Sequence, residues 1–213
     1  MARKRTRVVE DPGEIALLAS PARVEIVDTL ESLGAAVSVA GLASALGRPA
    51  DGLYYHLRQL ADAGLIEEEA SPEGRRYRSR TQGSDRLRLR YRPGATANAD
   101  AVGRVAASVL RVAGRDFARA LADPETVVDG PRRELWVARG KGWVDAADLA
   151  EINRLLSRLM DLVQQPVDAR RRGKRKLVAL SWVLAPVEAK PARRGAAQAG
   201  LAQARADRAR PPC

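Results

Sequence analysis

The sequence predicts an α+β chain that is mainly α, with a helical N-terminal half closed by a hairpin and a smaller α+β region carrying two long helices. Three observations carry this expectation. Amphipathic stretches with capping residues between them fill residues 12 to 63. Period-two alternation takes over between residues 66 and 92. Helical spacing then returns over residues 97 to 122 and 145 to 163.

Each element has a local reason. Residues 1 to 11 read as a flexible basic arm with Arg3, Lys4, Arg5 and Arg7. A short helix is expected over residues 12 to 19. Ser20 then stands as N-cap with Pro21 at the first helical position, where its missing N–H is harmless. The next helix turns Val24, Ile26, Val27, Leu30 and Leu33 mostly to one side and stops at Gly34. Ser38 caps a short third helix that ends at Gly47. The fourth begins near Asp51, lines Leu53, Leu57 and Leu60 along its buried stripe and ends at Gly64. LIEEEA and RRYRSRT pair around SPEG, whose Ser, Pro and Gly suit a tight turn. In DRLRLRYRPG, Leu87, Leu89 and Tyr91 alternate with arginines as a half-buried strand does.

In the second half, Val102, Ala106, Val109, Ala113, Phe117 and Leu121 mark the apolar stripe of a long helix. ELWVARGKGWV reads as a strand, and Asp145 with Asp148 resembles a capping box for the helix that follows. That helix carries a seam of Leu149, Ile152, Leu156, Leu159 and Val163, suited either to packing inside the chain or to a subunit interface. LVALSWVLAPV reads as a further strand, and residues 189 to 213 as a disordered basic tail. The resulting division is an arm (1–11), a helical unit with its hairpin (12–82), a dimerisation or effector region (83–188) and the tail (189–213).

Composition narrows the function. The 213 residues carry a net charge of +11, which points to a polyanionic partner. With one Cys and one His, no ordinary transition-metal site and no intrachain disulfide are expected, and no cofactor is implied. No nucleophile–base pair or phosphate loop marks an enzyme. Acidic residues follow the basic N-terminus where a signal peptide needs its apolar core, and no apolar run spans a bilayer. The expectation is a soluble cytoplasmic protein without a membrane partner.

Three helices followed by a hairpin, over residues 21 to 81, follow the winged helix-turn-helix plan. Opposite Leu53, Leu57 and Leu60 the fourth helix presents Asp51, Tyr54, Tyr55, Arg58 and Asp62, with the small Ala50 and Gly52 at its start. Arg58 suits a phosphate or a guanine, and each tyrosine offers a hydroxyl and an apolar ring. Asp51 reads as a helix cap before a base contact. Arg75, Arg76, Arg78 and Arg80 crowd one hairpin strand where such folds meet the backbone, although Glu67, Glu68 and Glu69 opposite offer them pairing across the hairpin. His56 reads as packing at the helix flank and hydrogen-bonding to backbone or phosphate. Trp136, Trp143 and Trp182 read as core and edge packing before a ligand cavity.

The segments LASPARVEIVDTL, VSVAGLASALG and YYHLRQLADAGLI, together with the basic hairpin, resemble an ArsR-type winged helix-turn-helix over roughly the first 80 residues. The resemblance implies a homodimeric bacterial transcriptional regulator that binds double-stranded DNA at a pseudo-palindromic operator. Residues 50 to 63 would be its recognition helix, and Ala50, Asp51, Tyr54, Tyr55, Arg58, Arg75, Arg76 and Arg78 its DNA-binding residues. VSVAGLASAL lacks the paired thiolates of metal-sensing members, and Pro49 stands where Ser or Thr is common, which leaves any small-molecule effector unknown. Two other readings of the residues stand beside this one: a winged-helix module for protein–protein contact, and non-specific chromosome binding through the arm and tail.

Overall fold

The computed structural model describes residues 6–80, 86–164 and 175–188. The chain divides into two units, Met1–Ser181 and Trp182–Cys213, and residues 182–188 of the second carry neither helix nor strand. The architecture is α+β and mainly helical, as the sequence predicts. No helix among the described residues is long and apolar enough to cross a membrane.

Strand β1 (Thr6–Val9) pairs in parallel with β5 (Arg86–Leu89), Val9 opposite Leu89. This corrects the flexible arm for residues 6 to 11: Val9 is buried, and Asp11 accepts from the Glu14 N–H at 2.9 Å to cap α1 (Pro12–Leu17). Residues 1–5 and the tail from 189 onward lie outside the described residues.

Helix α2 (Pro21–Leu33) starts after Ser20, whose side chain makes no cap bond, and stops at Gly34 with φ 58°. Its Val24, Ile26, Val27 and Leu30 are buried. Ser38 accepts from the Gly41 N–H at 3.1 Å, opening α3 (Val39–Leu46). Helix α4 (Tyr54–Asp62) places Leu57 and Leu60 against the core, with Leu53 at its N-cap position. The hairpin β3 (Ile66–Ser71) and β4 (Gly74–Ser79) turns as expected, Ser71 opposite Gly74. A third strand, β2 (Val37–Ser38), joins it in the order β2-β4-β3; at two residues it is too short for alternation to mark.

Helix α5 (Thr96–Leu121) buries Asn98, Ala101, Val105, Ser108 and Val112. The apolar stripe read from the sequence is thus rotated by one residue. The deciding side chains are polar ones with specific partners: Asn98 accepts from the Arg92 N–H at 2.8 Å and donates to the Arg90 carbonyl at 3.1 Å, and Ser108 donates to the Ala19 carbonyl. Satisfied in this way, they are buried without the penalty of unpaired groups. Ala101 and Val105 share one core with Val9, Ile15, Leu30, Leu42 and Leu57, so β5 and α5 complete the helix-turn-helix half rather than standing apart from it.

Helix α6 (Ala146–Val163) forms where expected, and the Asp145–Asp148 capping box closes reciprocally at 2.8 and 3.1 Å. None of its 18 residues is buried. The strands expected over ELWVARGKGWV and LVALSWVLAPV are not formed, since residues 134–144 and 176–188 pair with no described strand.

Candidate nucleic-acid interface

The turn between α3 and α4 carries Ala50, half-buried and packed against the core, followed by exposed Asp51 and Gly52. Asp51 does not cap the helix. The N-cap position is Leu53, and among the described residues the Asp51 side chain makes no hydrogen bond. The reason is that residues 51–53 form a turn closed by the Leu53 N–H on the Ala50 carbonyl at 2.9 Å, so the helix begins three residues later than the sequence implies.

Tyr54 and Tyr55 are 55% and 65% exposed, and Arg58 is exposed one turn further along. These side chains stand opposite the buried Leu53, Leu57 and Leu60, so α4 offers a flat outer face with two aromatic hydroxyls and a guanidinium. Gln59 donates to Tyr55 Oη at 2.9 Å and accepts from Arg23 Nη1 at 2.6 Å. Neither Gln59 nor Arg23 stands out in the sequence reading. The spacing of Gln59 to Tyr55 is a legible i,i+4 pair, but Arg23 arrives from a helix distant in sequence.

His56 lies edge-on to Tyr55, ring centroids 5.6 Å apart, beside an open hollow lined by Arg48, Pro49, Gly52 and Leu53. Its Nδ1 is buried and makes no hydrogen bond, to backbone or otherwise, among the described residues. Desolvation, then the charges of Arg23 and Arg48, hold its pKa below the ordinary value, so the imidazole is neutral at neutral pH. Arg48 itself pairs with Glu25, which also holds Arg115 from α5. The carboxyl end of α4 is tied by two further arginines. Arg7 donates to the Ala63 carbonyl and Arg80 to the Gly64 carbonyl, both at 3.2 Å, positive charges at the negative end of the helix. Arg7 is therefore committed to the fold, not to a mobile arm.

The hairpin arginines are largely engaged. Arg78 contacts Glu67 at 2.5 Å and Glu69 at 2.7 Å, Arg75 contacts Glu68 at 3.3 Å, and Arg80 reaches Glu67 at 3.4 Å. The register explains it, because Glu67 stands opposite Arg78 and Glu69 opposite Arg76, and opposed residues share a face. Arg76 is half-buried, its Nε without a partner. Among the described residues, no group of three or more His, Cys, Asp or Glu could hold a metal ion. Trp136 and Trp143, at 66% and 92% exposure, stand outside the core. Trp136 instead lies under Arg133, whose guanidinium carbon is 3.4 Å from the ring centroid.

A short helix, a turn and a second helix braced on α2 with an exposed Tyr/Arg face are thus in place. Residues 18–69 match the family model of a helix-turn-helix domain. No curated protein matches the chain. The helix-turn-helix domain so delimited holds α2, β2, α3, α4 and most of β3; within it Asp51, Tyr54, Tyr55 and Arg58 are exposed, whereas Ala50 packs against the core. Arg75, Arg76 and Arg78 stand on β4, beyond the matched residues. A domain of this kind supports DNA as partner and a role in transcription regulation.

Proposed function

We propose that the chain is a sequence-specific, non-enzymatic DNA-binding transcriptional regulator of the ArsR-like winged type, acting as a homodimer. Helix α4 enters the major groove, and the β3–β4 hairpin lies along the backbone. The observation that carries this reading is the exposed face of Tyr54, Tyr55 and Arg58 on a helix whose opposite side is fully packed. Homodimerisation is supported by α6, where Leu149, Leu155, Leu159, Leu162 and Val163 are exposed on a well-capped helix. A two-fold operator would require such a pairing.

Selection of duplexes from a random pool tests the reading, with a pseudo-palindromic consensus as the expected outcome. Arg58→Ala should then weaken binding to the selected duplex about tenfold or more and relax specificity at one base pair. Unchanged affinity would remove α4 from the groove.

A protein–protein contact module is the second reading, favoured by the acids that neutralise Arg75 and Arg78 and by the exposed, uncapping Asp51. It is supported if the protein retains no duplex at moderate salt.

A further inference from the structure

A line of side chains runs from α2 to the exposed face of α4. Arg23 donates through Nε to the Leu17 carbonyl and through Nη1 to Gln59 Oε1 at 2.6 Å. Gln59 Nε2 donates to Tyr55 Oη at 2.9 Å. The polarity of the whole line follows from its first member. A guanidinium has donors only, so the amide atom facing Arg23 has to be the oxygen. The amide nitrogen is thereby turned to Tyr55, and since it can only donate, the tyrosine oxygen must accept. That leaves the hydroxyl hydrogen directed away from Gln59, on a side chain that is 65% exposed.

We propose that Arg23 and Gln59 are positioning residues that turn the Tyr55 hydroxyl hydrogen toward DNA as a donor. Helix α4 therefore favours an acceptor at this point over an amino group, which could reach only the remaining lone pair of an oxygen already accepting from Gln59. The inference rests on the reading of α4 as the recognition helix. The matching chemistry is a phosphate oxygen or, in the major groove, guanine O6 or N7, adenine N7 or thymine O4. A base edge that offers only an amino group there, as cytosine does, would face the hydroxyl hydrogen and be disfavoured by leaving it unpaired and desolvated. Fixing the hydroxyl before binding also reduces the rotamer entropy that the contact costs.

The test uses the full chain, the duplex selected from the random pool and a scrambled duplex of equal length, with thermal melting to confirm that each variant is folded. Tyr55→Phe should weaken binding about tenfold. Gln59→Leu should cost about threefold alone and nothing further when added to Tyr55→Phe, the signature of action through the tyrosine. Gln59→Glu keeps a partner for Arg23 but can only accept, so it draws the hydroxyl hydrogen inward. Its loss should match that of Tyr55→Phe, and where the partner is a base, repeated selection should shift that position toward an amino group. Equal loss on both duplexes assigns the acceptor to phosphate, and loss confined to the selected duplex assigns it to a base; either supports the proposal. Wild-type affinity in Tyr55→Phe or Gln59→Glu overturns it, as does an equal cost of Gln59→Leu with and without the hydroxyl. Should the wild-type chain retain no duplex at all, the recognition-helix reading falls and takes this proposal with it. Retention together with an unaffected Tyr55→Phe removes the proposal alone.

Discussion

The Asp28 carboxyl stands on α2 among Glu31, Glu25 and Asp116, and its pKa is pushed up to about 7 from an ordinary 3.8, by desolvation first and then by those three charges. The residue as a whole is exposed, so the repulsion is the firmer of the two causes. A folded-state value above the unfolded one means that the folded chain holds a proton which the unfolded chain releases. The contribution of this group to stability is fully present below pH 3.8 and is lost as pH rises toward and through about 7. Asp28→Asn should therefore raise the melting temperature relative to wild type more at pH 8 than at pH 4; equal shifts at both would refute the linkage. At this scale the sequence was informative wherever a residue's role follows from its helical phase. Tyr54, Tyr55 and Arg58 are exposed because Leu53, Leu57 and Leu60 are not. Asp51 does not take the capping role its sequence suggests, because a loop turn and a first helical turn look alike in sequence. The Arg23–Gln59–Tyr55 line depends on a contact between two helices that no local pattern records.

Among the elements, the hairpin changes most between sequence and structure. Four arginines on or beside one strand read as a strongly basic edge, but the register sets Glu67 against Arg78 and Glu69 against Arg76 and neutralises much of it. Exposed pairs of this sort add little stability, about 0 to 1 kcal/mol each, so their main effect is on the field that DNA would meet. Glu67→Gln with Glu69→Gln should release Arg78, tighten DNA binding at low salt and steepen its salt dependence, as titrations across salt concentrations would reveal. No gain in affinity would mean that the hairpin stays clear of the backbone. The hairpin itself was legible because Ser, Pro and Gly mark its turn. The phase of α5 was not: its inner face includes Asn98 and Ser108, polar residues that hydrophobic periodicity assigns to the outside.

For the molecule as a whole, the core and the surface of α6 make opposite demands. Residues between Val9 and Val109 contribute to one shared core, whereas α6 forms with nothing buried. Most helical stability in proteins comes from packing an amphipathic face, and the described residues bury none of α6. Under the proposed dimer, Leu155→Glu with Leu159→Glu should shift the sedimentation species from dimer to monomer and weaken operator binding. A variant that remains dimeric would place the interface elsewhere. The division at residue 82 expected from sequence follows motif boundaries, and a long-range parallel pair such as β1–β5 leaves no motif behind.

That pair also sets an order of events. Val9 emerges early in synthesis and cannot be covered until Leu89 and then Ala101 and Val105 have followed it, so the helix-turn-helix half is not a self-sufficient early folder. A fragment ending at residue 82 should melt non-cooperatively and be cut rapidly by protease, while one ending at residue 124 should melt as a single transition; matching behaviour of the two would contradict this. The chain thus has to commit to its second half before its first half can hold together, and transplanting α3 and α4 alone onto another protein would carry away a surface without the frame that holds its shape.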